Sequence, residues 1–282
     1  MSAPAAAGLQ HVRGPSALGG DVRRFLHLTR TIAVNEFKLR FFGSVLGYLW
    51  QLMRPLMLFG VLYVVFTQFV RLGDQADFFP VVLLTSIVLY TFFAEATGSA
   101  VWSVVARESL VRKIHFPRLV IPLSVVLTAG FNLALNLCVI TVFALASGVR
   151  PRLSWLQLPL LVVALAVLAS GMAMLLSALY VRFRDMSPIW EVVLQIVFYG
   201  SPVIYVIEVI PEPAWQRAIM LSPFAAILQQ VRHAAIDPNA ASAAAAAGGS
   251  IRLLVPILVV IGVFCLGFWV FNREAPRIAE DL

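Results

Sequence analysis

Six stretches of this chain are apolar for long enough to cross a lipid bilayer, and that constrains the fold more than any other feature. They cover residues 44–70, 80–105, 119–148, 156–181, 188–210 and 251–271. A crossing needs about 20 apolar residues, at ~1.5 Å of rise each, to span a hydrocarbon layer of about 30 Å. The composition agrees. Hydrophobic residues make up 61% of the 282 positions and charged ones 12%, against about 45–50% and about 25% in an ordinary globular domain. A soluble fold of this length has too little interior to hide that much apolar surface. The sequence therefore predicts an all-α membrane protein with six transmembrane helices spread over residues 44–271.

Residues 1–20 are rich in Ala, Gly and Pro, with no apolar core before a small-residue cleavage site, and read as a flexible tail and not as a signal peptide. Over residues 21–43 the pattern becomes helical. Val22, Phe25, Leu28, Ile32 and Leu39 share one face, and Arg23, His27, Arg30 and Lys38 share the other. A basic amphipathic helix directly before a span is expected to lie in the interface, where anionic lipids attract it. Glu36 falls on the apolar side, against the pattern.

Between the fifth and sixth stretches, residues 211–236 are moderately apolar but broken by Pro211, Pro213 and Pro223. They predict two short re-entrant or interfacial helices. The Ala-rich part of residues 237–250 reads as an extramembranous linker, and residues 272–282 as a cytoplasmic tail. Lysine and arginine set the orientation. Of 21 such residues, fourteen fall on the side of both termini, six on the other and Arg54 inside the first span, so both termini are expected in the cytoplasm. The net charge of +7 then follows from topology, and no nucleic-acid partner is needed to explain it.

A transporter needs an energy source, and the sequence excludes most internal ones. Its two lysines, Lys38 and Lys113, do not end a Gly-rich phosphate loop. Glu95 and Glu191 lie inside spans, towards span ends, and acids this few are sparse for ion-coupled transport. The four histidines are scattered, and Cys138 and Cys265 stand alone in apolar runs, so no metal spacing and no catalytic residue is assigned. A glycosyl- or phosphotransferase inside the membrane would need clustered acids or histidines.

Two features remain. The loop over residues 106–118 contains RESLVRKIHFPR, a short helix of mixed charge stopped by Pro117, which suits docking of a soluble partner. Aromatic residues gather at Tyr48 and Trp50, at Tyr90, Phe92 and Phe93, and at Phe198, Tyr199 and Tyr205. Their faces can stack on the C–H faces of sugars, or they can form an interfacial belt.

Several motifs, in order, carry a resemblance: SVLGYLWQLMRP at 44–55, FFAEATGSAVWSVVARESLVRKIHFPRLVIPLS at 92–124, YVRFRD at 180–185, SPVIY at 201–205, SPFAAI at 222–227 and NREAPRIAEDL at 272–282. From residue 21 onward the chain resembles ATP-binding-cassette type 2 permeases that export O-antigen, capsule or teichoic acid. The resemblance implies a multi-pass subunit of the bacterial inner membrane. Two copies would pair with two copies of a separate nucleotide-binding subunit, which holds the ATP and Mg. The cargo would be a lipid-linked glycan, a cell-wall galactan among the candidates, moved outward. It further implies ATPase coupling through Glu108, Leu110, Arg112, Lys113 and His115. Residues 211–236, with Pro211, Trp215 and Pro223, would form an outer gate. The substrate path would lie between first and fifth spans, lined by Tyr48, Trp50, Tyr90, Phe93, Phe198 and Tyr199, with Glu95 in the path or paired in the bundle. Two departures stand out: the Ala-rich linker is longer than usual, and Ala225–Ala226 replaces a more polar pair. A small-lipid or drug exporter of the same family, and a flippase needing no ATPase, are the alternatives.

Overall fold

The computed structural model describes residues 22–41, 45–69, 77–109 and 116–275, without the side chains of 40–41 and 45–48. Among the described residues every regular element is helical. Helix α1 (Val22–Phe41) precedes α2 (Val45–Val64), which continues through a π-helical turn at Val65–Phe69. Long helices α3 (Phe79–Val101), α4 (Val120–Ala146) and α5 (Gln157–Arg182) follow, then the shorter α6 (Met186–Gly200). Three small helices come next, α7 (Pro213–Ile219), α8 (Pro223–Val231) and α9 (Ala243–Ala247), before the last long helix, α10 (Leu254–Glu274).

Five helical stretches, of 21 to 30 residues, are long and apolar enough to cross a membrane. The fifth expected span, 188–210, is not one helix. Helix α6 has 15 residues, about 22 Å at ~1.5 Å per residue, and so falls short of a layer of about 30 Å. The cause lies in Ser201–Pro202. Pro202 has no N–H to extend the ladder, and a residue before proline is driven to extended geometry. Ser201 adopts φ −106° and ψ 159° accordingly. The same rule shapes the next segment. Glu212 and Ser222 are extended at ψ 117° and 123°, and Pro213 and Pro223 then open α7 and α8 in their first turns.

Helix α3 is the hub. Its apolar window is 72% buried, against 6% for the first long stretch and 11% for the last. A core of Leu83, Ile87, Leu89, Ala96 and Ala100 meets Ala129 and Leu133 of α4 and Leu165 and Ala169 of α5. Hydroxyls inside this bundle are satisfied on their own helices: Thr85 and Thr97 donate to the carbonyls of Val81 and Phe93, each four residues back, at 2.7 Å. At one end of the bundle, Phe25 of α1 packs with Leu119 and Val120, Met174 and Val181, and Phe271. Helix α1, the start of α4 and the ends of α5 and α10 therefore meet there. At the opposite end Val81 and Val82 pack with Ala144, Val149 and Ile236. The start of α8 and the π-helical turn after it touch α3 at two levels: Phe224 meets Phe93 in a tilted ring pair at 5.4 Å, and Ile236 reaches Val81 and Val82. Those two levels on α3 lie about 17 Å apart at ~1.5 Å per residue.

The Ala-rich run, read from its composition as an extramembranous linker, contains a short packed helix. Ser242 caps α9 by accepting from Ala245 N at 3.2 Å, and Gly248 closes it at φ 78°. Ala246 and Ala247 bury against Ile207, Met220 and Ala225. The expected tail from residue 272 is helical to Glu274, and residues 276–282, like the expected tail at 1–20, lie outside the described residues.

Without water to expel, helices in lipid associate by close packing, and small residues allow the closest approach. Helices α5 and α10 use this. A Cβ on Gly267 would stand 2.1 Å from the carbonyl oxygen of Gly171, and one on Gly171 would stand 2.7 Å from Phe264 Cα. Both clashes are with backbone, so neither can be relieved by a rotamer change. Gly267→Ala is expected to cost about 1–3 kcal/mol, the usual range for overpacking, and to lower the melting temperature of the detergent-solubilised protein. Gly60→Ala meets nothing within 4 Å and is expected to melt with the unaltered chain. Equal melting of the two variants would refute the crossing as a stability determinant.

Candidate transport cleft and coupling face

Three helices turn polar stripes towards one another. Gln51, Arg54, Pro55 and Leu58 follow the i, i+3, i+4, i+7 spacing of a single face of α2. Thr91, Glu95 and Ser99, four residues apart, share a face of α3, and Ala129, Asn132 and Asn136, at i, i+3 and i+7, share one of α4. Together they wall a cavity of about 740 Å³. A carboxylate at this depth is costly unless paired, and Glu95 is paired: Asn132 Nδ2 donates to its two oxygens at 2.9 and 3.2 Å. Asn136 Nδ2 in turn donates to the Asn132 carbonyl at 2.9 Å.

Beside the cavity an aromatic chain joins α3, α6 and α8. Tyr90 meets Phe198 at 4.7 Å and Phe224 at 6.2 Å, and Phe198 meets Tyr199 edge-on at 5.2 Å. The Tyr90 hydroxyl donates to the Leu194 carbonyl at 3.0 Å, and Trp190 Nε1 donates to Thr97 Oγ1 at 3.0 Å. Of the residues nominated for a path, Tyr90 and Glu95 line the cavity. Trp50 on α2 and Tyr199 on α6 are exposed, while Phe93 is 4% exposed, between Trp190 and Phe224. The side chain of Tyr48 lies outside the described residues.

A second polar centre sits where α1 meets the bundle. Glu36, the acid on the wrong face of α1, forms an ion pair with Arg107, just after α3. Burial holds the Arg107 guanidinium below its ordinary pKa, so the Glu36 carboxylate is what keeps a cation acceptable there. Thr128 of α4 donates to the Ala33 carbonyl at 3.3 Å, and Phe37 meets Phe131 edge-on at 5.6 Å. Helix α1 is thereby fastened both to α4 and to the first turn of the loop. Glu108 is half-buried at the end of that turn, and Leu110, Arg112, Lys113 and His115 lie outside the described residues. At the next turn on this side, Arg182 lies over the Phe183 ring at 5.6 Å and Arg184 over Tyr180 at 5.2 Å.

At the far end, Pro211 and Trp215 are exposed and Pro223 begins the buried helix α8. Arg232, 6% exposed, donates to Glu208 at 2.6 Å and to Asp237 at 3.4 Å. This pins the π-helical turn Arg232–Ile236 to the segment that follows α6. Sequence reasoning missed Asn132, Asn136 and Arg232. Amides four residues apart in an apolar span were a usable signal, because such groups are rarely left unpaired in hydrocarbon.

The ABC-2 type transporter family model matches residues 27–236, which takes in α1, the cleft, the coupling face and α8. The chain belongs to that family, a multi-pass protein of the bacterial inner membrane. It is 28% identical over 256 residues, 89% of this chain and 93% of the relative, to an O-antigen export system permease protein RfbA of Klebsiella pneumoniae. It is 27% identical to the RfbA permease of Myxococcus xanthus over 72% of this chain and 76% of that one.

Breaking the α1 clamp tests its weight. Arg107→Ala is expected to lose about 1–3 kcal/mol by leaving the Glu36 carboxylate without its partner. A double-mutant cycle with Glu36→Ala, read by thermal melting, should give a coupling energy of about 1 kcal/mol or more. Additive losses would show that the pair carries no net attraction.

Proposed function

We propose that this chain is the permease subunit of an ATP-driven exporter that moves a lipid-linked polysaccharide out of the cytoplasm. The reading rests on one observation above the others: the family matches residues 27–236, and the relatives that cover 89% and 72% of the chain are named O-antigen export permeases. The cleft geometry is compatible with it. An ABC-2 permease without a phosphate-binding loop draws its work from a separate subunit, which binds the ATP and Mg. Two copies of that subunit act on two copies of this chain.

The large unburied apolar faces of α2 and α10 support a second copy and lipid as their neighbours. Helix α6, extended by the segment to Ile210, makes the sixth crossing and faces α2 of the second copy across the path. Trp50 and Tyr199, both exposed, supply aromatic faces to passing sugar rings. Nucleotide-driven closure of the partner pushes on 108–115. The Glu36–Arg107 pair carries that movement to α1, which lies in the cytoplasmic interface, and α3 carries it to Glu95. Residues 211–236, held by Arg232, close the outer end. A drug or small-lipid exporter shares every one of these parts and differs in cargo alone.

Glu95→Ala is expected to lower ATP-dependent glycan export in inverted vesicles. It removes charge-assisted hydrogen bonds worth about 1.5–3 kcal/mol, roughly a tenfold effect or more. Unimpaired export by this variant, present at normal level in the membrane, would show that the cleft has no part in transport.

A further inference from the structure

At the far end of the bundle, two guanidinium groups converge on one point. A Cβ on Gly248, which closes α9, would stand 3.0 Å from Arg217 Nε and 3.1 Å from Arg252 Nη1. Arg217 belongs to α7, and Arg252 to the 3-10 turn Ser250–Leu253 that leads into α10. Arg252 donates to the Ala247 carbonyl at 3.2 Å, which fixes its direction. Arg217 is exposed and, among the described residues, has no hydrogen bond or ion pair. The acids of this region do not neutralise the two cations. Glu208 and Asp237 are engaged by Arg232, and Glu212, five residues before Arg217, lies about 140° away round the helix.

Like charges repel, so two cations aimed at one point call for something that offsets them. The carbonyl of Ala247 serves Arg252 and leaves Arg217 uncompensated. Cations are also scarce on this side: of 21 lysines and arginines, six are expected there. The surroundings name the anion. Arg252 stands at the start of Ser250–Glu274, a stretch long and apolar enough to cross a membrane, and so falls at headgroup depth. Below it Leu254, Val255, Leu258 and Val259 are exposed, an apolar bed for acyl chains. Trp215 of α7, also exposed, is a residue type that belongs at this depth. A guanidinium pairs with phosphate through two parallel N–H donors. A choline or ethanolamine cation on the same phosphate would be repelled by the second arginine. We infer that Arg217 and Arg252 bind the phosphate of an anionic phospholipid, in the leaflet away from α1, with its acyl chains along α10. The site requires that the chain span a membrane and is independent of the export reading.

Native mass spectrometry of the full chain, released from nanodiscs holding equal parts phosphatidylglycerol and phosphatidylcholine, tests it. The unaltered chain is expected to retain phosphatidylglycerol over phosphatidylcholine by roughly tenfold or more, and Arg217→Gln and Arg252→Gln each to lower that preference roughly fivefold. Arg217→Lys, which keeps the charge, should retain most of it. Arg150→Gln, which removes another exposed cation at the same end, should leave it unaltered. Arg217 bonds nothing among the described residues, so its variants are expected to melt with the unaltered chain. Equal retention of the two lipids by the unaltered chain, or an undiminished preference in both Gln variants, would overturn the proposal. So would an equal loss in Arg150→Gln, which would mark a diffuse effect of charge. Displacement of the lipid by millimolar inorganic phosphate would overturn it in favour of a free-anion site. Retention is read without ATP or a partner subunit, so failure here leaves the exporter reading standing, and export that needs no ATP leaves this site standing.

Discussion

Hydrocarbon offers no hydrogen-bond partner, so each polar group on a spanning helix must find one inside the protein or sit where water or a ligand reaches it. Most of the architecture follows from how α3 meets that demand. Its threonine hydroxyls bond to their own helix, Glu95 is held by Asn132 across the gap to α4, and Thr97 receives the indole of Trp190 from α6. Once these bonds fix the rotation of α3, its remaining faces must be apolar and close-packed. Ala96, Ala100 and Ile87 are fully buried there. The polar stripe can then face only the cleft shared with α2.

The same constraint separates two kinds of helix. Those around α3 are locked by buried contacts, while α2 and α10 keep most of their apolar surface outward. Helix α10 still needs a firm attachment, and Gly171 and Gly267 supply one by bringing two backbones into contact. Helix α2 has no comparable crossing to α3.

Much of this was legible in the sequence, because a run of twenty apolar residues leaves a chain few choices. Five of the six expected spans correspond to long helices. The remaining one, the fifth at 188–210, departs for a local reason, the extended Ser201 before Pro202, which hydropathy averaging cannot register. Pairings across the fold were illegible. Glu36 looked misplaced on α1 because Arg107, its partner, is far along the chain. Asn132 went unnoticed because Glu95, the carboxylate it holds, lies on another helix and 37 residues away. The Ala-rich run looked featureless, since the packing of small side chains against Ile207 and Met220 leaves no periodic signature in a helix of five residues. Phe93 counted as a path aromatic by position, and only the approach of Phe224 and Trp190 shows what covers it.

The central claim is that this chain is a gate driven from outside itself, through contacts on the face where α1 meets Arg107. Its most direct measurement is glycan translocation in sealed proteoliposomes, with and without a nucleotide-hydrolysing subunit taken from the same cell. The account predicts movement only when that subunit is present and competent, and none when it binds ATP but cannot hydrolyse it. Translocation at the full rate by the chain alone would contradict the account.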